Sequence, residues 1–262
     1  GFQAGETLRL ACAAACDIRH KSGWSVWPRV HDTLFIVGVT SDLVLAIPHL
    51  AGLPRAEAER FARELTLRQF GPREFIAVEG EPGHGFFAMV SGRARIFRSG
   101  PDGREQILRL LGPGDTFGEV PVFDGGAHPA TVEALDQAEV LVIPAGAFRL
   151  LVARYPDVAA ALLQHFARRL RSFTELVEQI SLQTVQQRIA RYLYMTAREE
   201  GTATPEGVVV PRTITQQDLA ALVGSVREVV SRTLRVMEED GIVEIRRREI
   251  LVRNISALRA LI

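Results

Sequence analysis

The apolar residues of this chain change their period at Pro156, and that change limits what the chain can fold into more than any other feature. Before it, short apolar runs alternate with glycine-rich punctuation from Phe70 to Ile143. The runs are FFAMV (86–90), ARIFR (94–98), QILRLL (106–111), TVEAL (131–135) and EVLVIP (139–144). Between them sit Ser91-Gly92, Asp102-Gly103, Gly112-Pro113-Gly114-Asp115 and Asp124-Gly125-Gly126. Glycine enters left-handed backbone without a steric penalty, and Asp bonds its own backbone, so these are turn signals. Many short strands with regular turns predict a small antiparallel roll or sandwich. Beyond Pro156, Phe166, Leu170, Phe173, Val177 and Ile180 recur at spacings of 4, 3, 4 and 3. That is the a/d seam of a helix, narrow enough that a second copy of itself is its natural cover.

The last part of the chain changes character again. It reads as a helix (185–199), a loop with short strands (202–214), a helix (216–223), a turn at Val223-Gly224-Ser225, a helix (226–240) and a hairpin (242–253). Thr215 is an N-cap, with Asp218 three residues on in the place of the capping-box Glu. Leu219, Leu222 and Val223 supply the apolar face of the first short helix. Val229, Val230, Leu234 and Met237 supply that of the second, and Gly241 stops it. Two short helices around a glycine turn make a helix-turn-helix. On the outer side of the second helix, near its start, stand Arg227, Glu228, Ser231 and Arg232. Arginine can bond guanine O6 and N7 together, and Glu accepts from cytosine N4, so these residue types suit a major groove. Arg246, Arg247 and Arg248 in the hairpin suit phosphate contacts from a wing. The competing reading is a solvated face carrying a Glu228–Arg232 ion pair.

Composition adds little. Lys plus Arg and Asp plus Glu both number 31, so the case for nucleic acid rests on local pattern. Two cysteines, Cys12 and Cys16, make no disulfide framework, and the longest apolar run, residues 33–41, is too short to span a membrane. The expected setting is cytoplasmic and reducing, without membrane contact. HExxH, GxSxG and GxxxxGK[ST] are absent, so no catalytic residue is named and the expected function is not enzymatic. The first 41 residues look foreign to the rest, holding both cysteines, both tryptophans (Trp24 and Trp27) and the single lysine, Lys21. Cys12, Cys16 and His20 would share one face of a helix there, a pattern read as coincidence, and no metal ligand is assigned. The expected division is an extension (1–41), a β-roll sensor (42–155), a dimerisation helix (156–184) and a winged helix-turn-helix (185–262), an α+β chain overall.

ITQQDLAALVGSVREVVSRTLRVMEEDGIV (214–243) resembles the DNA-binding signature of the Crp/Fnr family, the cyclic-AMP receptor protein and its relatives. LGPGDTFGE (111–119) resembles the phosphate-cassette region of the same family. The resemblance runs from about Asp42 to the C-terminus. It implies a homodimer about the central helix, double-stranded DNA as partner, and half-sites about 10–10.5 bp apart. RNA polymerase would be a further partner. By resemblance Arg227, Glu228 and Arg232 match the three base-reading positions, and the Arg-Glu-x-x-x-Arg form goes with a TGTGA-like half-site. Thr215 and Arg246 match phosphate-contacting positions, and Gln216 stands where a basic residue is common.

The resemblance also locates an effector pocket and shows it altered. Gly118 and Glu119 match residues that would hold a nucleotide's phosphate region and ribose. The Arg-Ser pair that a cyclic-AMP phosphate needs aligns with Pro129 and Ala130, and proline offers neither charge nor donor. An adenine-contacting Thr aligns with Phe173, with Thr174 next to it. Cyclic AMP is therefore not the expected effector. An Fnr-type iron–sulfur cluster takes four thiolates where two exist. Haem would need an axial ligand from His84, His128 or His165, each read as a surface or loop histidine. The cofactor stays unnamed, and either another signal or ligand-free action is expected. The alternative function is a cyclic-nucleotide-binding module with vestigial DNA binding.

Overall fold

The computed structural model describes residues 38–262. The readings on Cys12, Cys16, His20, Lys21, Trp24 and Trp27 lie outside the described residues. Two short helices open the described chain. α1 (Ser41–Leu45) is capped by Thr40, whose hydroxyl accepts from the Leu43 N–H, and α2 (Arg55–Ala62) starts after Pro54.

The roll is two four-stranded antiparallel sheets. One has the order β1 (Thr66–Phe70), β8 (Ala138–Pro144), β3 (Gly85–Ser91), β6 (Thr116–Phe117). The other runs β2 (Phe75–Ala77), β7 (Thr131–Ala134), β4 (Ala94–Ser99), β5 (Glu105–Leu111). Period-two alternation lets the β3–β8 pair serve two cores at once. Phe87, Met89 and Val140 face the roll interior with Phe117 and Val132. Phe86, Ala88, Leu141 and Ile143 face outward, onto α1, α2, α4 (Ala145–Arg154) and the start of α5 (Pro156–Leu182). A six-residue helix, α3 (Glu119–Asp124), follows Gly118.

α5 begins with Pro156 at its first turn, where a missing N–H costs nothing. Val158 and Leu162 are buried on the roll, and Phe166 packs there as well. Phe166, the first residue of the expected seam, is thus partly covered by its own roll. Leu170, Phe173, Val177 and Ile180 do stand in the open, Phe173 with half of its surface exposed.

α5 ends at a built corner. Thr184 caps α6 (Val185–Glu199) in a reciprocal capping box with Gln187. From α6, one guanidinium nitrogen of Arg188 donates to the carbonyls of Gln179, Ile180 and Gln183 at 3.0, 3.2 and 2.8 Å, satisfying the free carbonyls at the end of α5. Burial pulls the Arg188 pKa below its ordinary value.

The C-terminal unit places α6, α7 (Gln216–Leu222), α8 (Arg227–Glu239) and α9 (Ile255–Ala260) around one core. Its sheet has the order β11 (Val243–Ile245), β12 (Glu249–Val252), β10 (Gly207–Pro211), β9 (Thr202–Thr204). α9 was not anticipated; Asn254, which reads as part of a glycosylation sequon, caps it by accepting from the Ala257 N–H at 2.9 Å.

Candidate functional site

The helix-turn-helix forms as its local signals dictate. The Thr215 side chain accepts from the Asp218 N–H, and the Asp218 carboxylate accepts from the Thr215 N–H and hydroxyl at 3.2 and 2.5 Å. Gly224 turns the chain with φ +62°, in the left-handed region. Val230, Leu234 and Met237 bury one face of α8, with Val229 half-buried. The opposite face presents Arg227, Glu228 and Arg232 exposed, with Ser231 beside them. Among the described residues none of these three charges has an ion pair or a side-chain hydrogen bond, and the Glu228–Arg232 pair of the competing reading does not form. Val226 contributes no side-chain cap to the start of α8.

The wing departs from expectation. Arg246 is not held out toward solvent; it is clamped by Glu206, Glu244 and Glu249 at 2.9, 2.8 and 3.2 Å. The hydrogen bonds it donates to those carboxylates raise its pKa above the ordinary value. A cation held by three carboxylates has little left for a phosphate, whereas Arg247 and Arg248 are exposed at the hairpin tip. Thr215 is exposed and Gln216 half-buried at the start of α7.

Sequence reasoning missed how the reader is fastened to the roll. Arg95 of β4 reaches Glu133 and Glu105 at 2.7 Å each and, across the domain junction, Asp218 of α7 at 3.1 Å. Burial opposes its charge, and the hydrogen bonds it donates to Glu133 and Glu105 more than offset that, so its pKa lies above the ordinary value. Beside it Phe97 and Ile107 pack with Ala221, Leu110 and Leu222. Gln106 Nε2 donates to the Leu222 carbonyl at 3.3 Å, and Arg93 donates to that of Thr213 at 2.9 Å. α7 therefore lies on the β4–β5 ribbon.

The other face of that ribbon lines a cavity of about 610 Å³, which Gly118, Glu119, Pro129, Ala130 and Phe173 help to wall, together with Phe166 and Leu170. Gly118 takes φ +82°, and a Cβ there would meet the Phe87 ring at 2.7 Å, so the tight entry to α3 requires glycine. Thr174 was expected here and is not on the wall: it is exposed, its hydroxyl donates back to the Leu170 carbonyl at 3.0 Å, and Ser172 lines the cavity instead.

Two of the three histidines read as surface or loop residues are interior. His128 sits in a loop but is buried on the cavity wall, and burial lowers its pKa. The His165 ring, mostly buried, has Nε2 3.2 Å from Glu119 Oε1. His49 is buried against Phe86, Phe148 and His165, with no hydrogen-bond partner for its Nε2 among the described residues. Burial, helped by His165, lowers its pKa to about 4.

This order of parts has counterparts among known proteins. Residues 67–155 match the family model of the cyclic nucleotide-binding domain, and residues 187–261 match that of the Crp-like helix-turn-helix domain. A CRP-like cAMP-activated global transcriptional regulator of Mycobacterium tuberculosis is 30% identical over 196 residues, 73% of this chain and 88% of the relative. The chain belongs to the Crp/Fnr family of transcription regulators. The Cyclic AMP receptor protein of Thermus thermophilus, another Crp/Fnr protein, is 31% identical over 211 residues, 80% of this chain and 94% of the relative. Among solved structures, FixK2 from Bradyrhizobium japonicum superposes with a TM-score of 0.66 at 26% identity, covering 75% of this chain and 96% of that one. The chain is thus a DNA-binding transcription regulator with a cyclic nucleotide-binding domain. Among the described residues no helix is long and apolar enough to cross a membrane.

Proposed function

We propose that the protein works as a homodimer that reads a TGTGA-like palindrome through Arg227, Glu228, Ser231 and Arg232. The observation that carries this reading is the unpaired state of Arg227, Glu228 and Arg232 on the exposed face of α8. Elsewhere in the chain, Arg73, Arg93, Arg95, Arg98, Arg109 and Arg246 all hold carboxylates. Charges without a protein partner have no ion pair to break before they meet base edges. Thr215, Gln216, Arg247 and Arg248 serve the phosphates. Open Leu170, Phe173, Val177 and Ile180 supply the dimer seam, and polymerase contact follows from family membership. The vestigial reading gains no support from a recognition face this free.

The roll senses a signal other than cyclic AMP. The relatives are named for cyclic AMP, but here Pro129 and Ala130 wall the cavity where a cyclic phosphate needs charge and donors. Signal transfer runs through the β4–β5 ribbon. Ile96 and Leu108 face the cavity, while Arg95, Phe97 and Ile107 hold α7. An occupant that shifts the ribbon shifts the reader, a bias between two discrete packings.

Selection of sites from a random duplex pool tests the reading. The expected winner is a palindrome with half-sites about 10–10.5 bp apart and an affinity that falls steeply with salt. Failure to enrich any sequence, with and without added effectors, would refute it. Phe173→Glu is expected to convert the dimer to monomers in sedimentation; an unchanged mass removes the seam from the interface.

A further inference from the structure

We infer that the roll cavity is built for an organic acid: a carboxylate that meets Arg169, carried on an apolar body that fills the space between Phe117 and Phe173. This deepens the sensor reading above and rests on it. At about 610 Å³ the cavity has the size of a small-molecule site, and its walls are mainly apolar, with Ile96, Phe117, Val132, Leu170 and Phe173 among them.

The charged groups on its wall decide the sign of the ligand. Arg98 is held by Glu79, and Arg109 by Asp115. Glu119 is engaged through Oε1, which accepts from the Thr116 hydroxyl at 3.2 Å and lies 3.2 Å from His165 Nε2. Arg169 alone among the wall's arginines has no carboxylate within ion-pair distance among the described residues. It donates to the Thr116 carbonyl at 3.2 Å and stands 3.4 Å from His165 Nε2. That nitrogen cannot accept from Arg169 and donate to Glu119 at once. With five N–H donors, the Arg169 guanidinium keeps a free edge of the shape that a carboxylate accepts in a fork. Burial draws the Arg109 pKa down against the pull of Asp115 and Glu119, so Arg109 is already both desolvated and paired.

A cyclic nucleotide fits these walls poorly. Its phosphate would face Pro129 and Ala130, and its polar base would meet Phe173 and Leu170. An apolar acid brings one charged group, for Arg169, and no other polar group to desolvate.

Isothermal titration of the full chain with naphthoate, decanoate, the matched alcohols naphthalenemethanol and decanol, and cyclic AMP tests this. At least one acid is expected to bind about tenfold or more tightly than its alcohol, the gain of one charge-assisted contact. Arg169→Gln is expected to erase that difference while sparing the alcohol. Acid and alcohol binding equally, or neither acid binding, overturns the inference. If Arg169→Gln does not fold, the acid-to-alcohol ratio of the unaltered protein still decides. Site selection on the same preparation separates the failures. Selective DNA binding with no acid bound sinks this inference and leaves the reader intact, whereas tight cyclic AMP binding sinks both sensor readings.

Discussion

Arg95 and Arg246 are each surrounded by three carboxylates, yet they do different things. Arg95 is 5% exposed and ties two strands of the roll to the first helix of the reader. Arg246 is 34% exposed and ties together parts of one domain. Around Arg246, water and salt screen the pairs, and the cluster tolerates loss. Around Arg95, removing one partner strands charge in a place that water does not reach. A buried cluster therefore acts as a joint, and an exposed one as a tether. The free charges of α8 are a third case, neither joint nor tether, and so available to a ligand.

The most severe way to break the comparison is Arg95→Ala. It leaves Glu133 and Asp218, each almost wholly buried, without their shared cation. The expected cost is about 3–5 kcal/mol in denaturant unfolding. A double-mutant cycle with Asp218→Asn should show strong coupling, because the two side chains share one bond across the junction. A cost near that of a surface pair would mean that the junction opens in solution.

Burial without a partner is the next test. The His49 pKa falls from 6.5 to about 4 in the folded chain. The unfolded chain then binds the extra proton first, so stability is full above pH 6.5 and falls as pH drops toward 4. The total expected loss is about 3 kcal/mol. His49→Phe fills the same place beside Phe86 and Phe148 without an orphaned nitrogen, and should flatten that pH dependence. An unchanged slope in urea midpoints between pH 6.5 and 4.5 would show that His49 takes up its proton without loss of fold.

On the reading face, Arg227→Ala should cost about 1–3 kcal/mol on the selected site and relax one base of each half-site. An equal loss on unrelated duplexes would make Arg227 a phosphate contact. Its fold should be untouched, since no side-chain bond among the described residues depends on Arg227.

What was legible in the sequence follows the same division between near and far. The Thr215–Asp218 capping box, the Gly224 turn and the buried face of α8 are set within one or two helical turns, and each was readable as pattern. Arg95 and Asp218 lie 123 residues apart, and Arg246 and Glu206 lie 40 apart. No period or spacing signals such pairs, so a junction cation and a clamped wing cation look the same in a string of letters as a phosphate-binding arginine. Phe166 shows the same limit. It holds its place in the 4-3-4-3 seam, but the roll it follows is near enough to cover it, and only the positions from Leu170 onward outrun that cover. Pro129 and Ala130 were legible as a loss of charge; that Arg169, on a different element, stands on the same wall was not.

The mildest effect separates the wing's arginines. Arg247 and Arg248 are exposed at the hairpin tip, whereas Arg246 already has its carboxylates. Arg247→Ala should lower the slope of log affinity against log salt by about one, the signature of one lost phosphate contact. Arg246→Ala should leave that slope alone, because a cation neutralised in the free protein displaces no counterion from DNA. The reverse result would mean that DNA pulls Arg246 out of its clamp. Glu206, Glu244 and Glu249 would then be left unpaired at the surface of a polyanion, and a Glu206→Gln variant would bind DNA more tightly than the parent. That pair of measurements decides whether an exposed three-carboxylate cluster is a tether that stays tied.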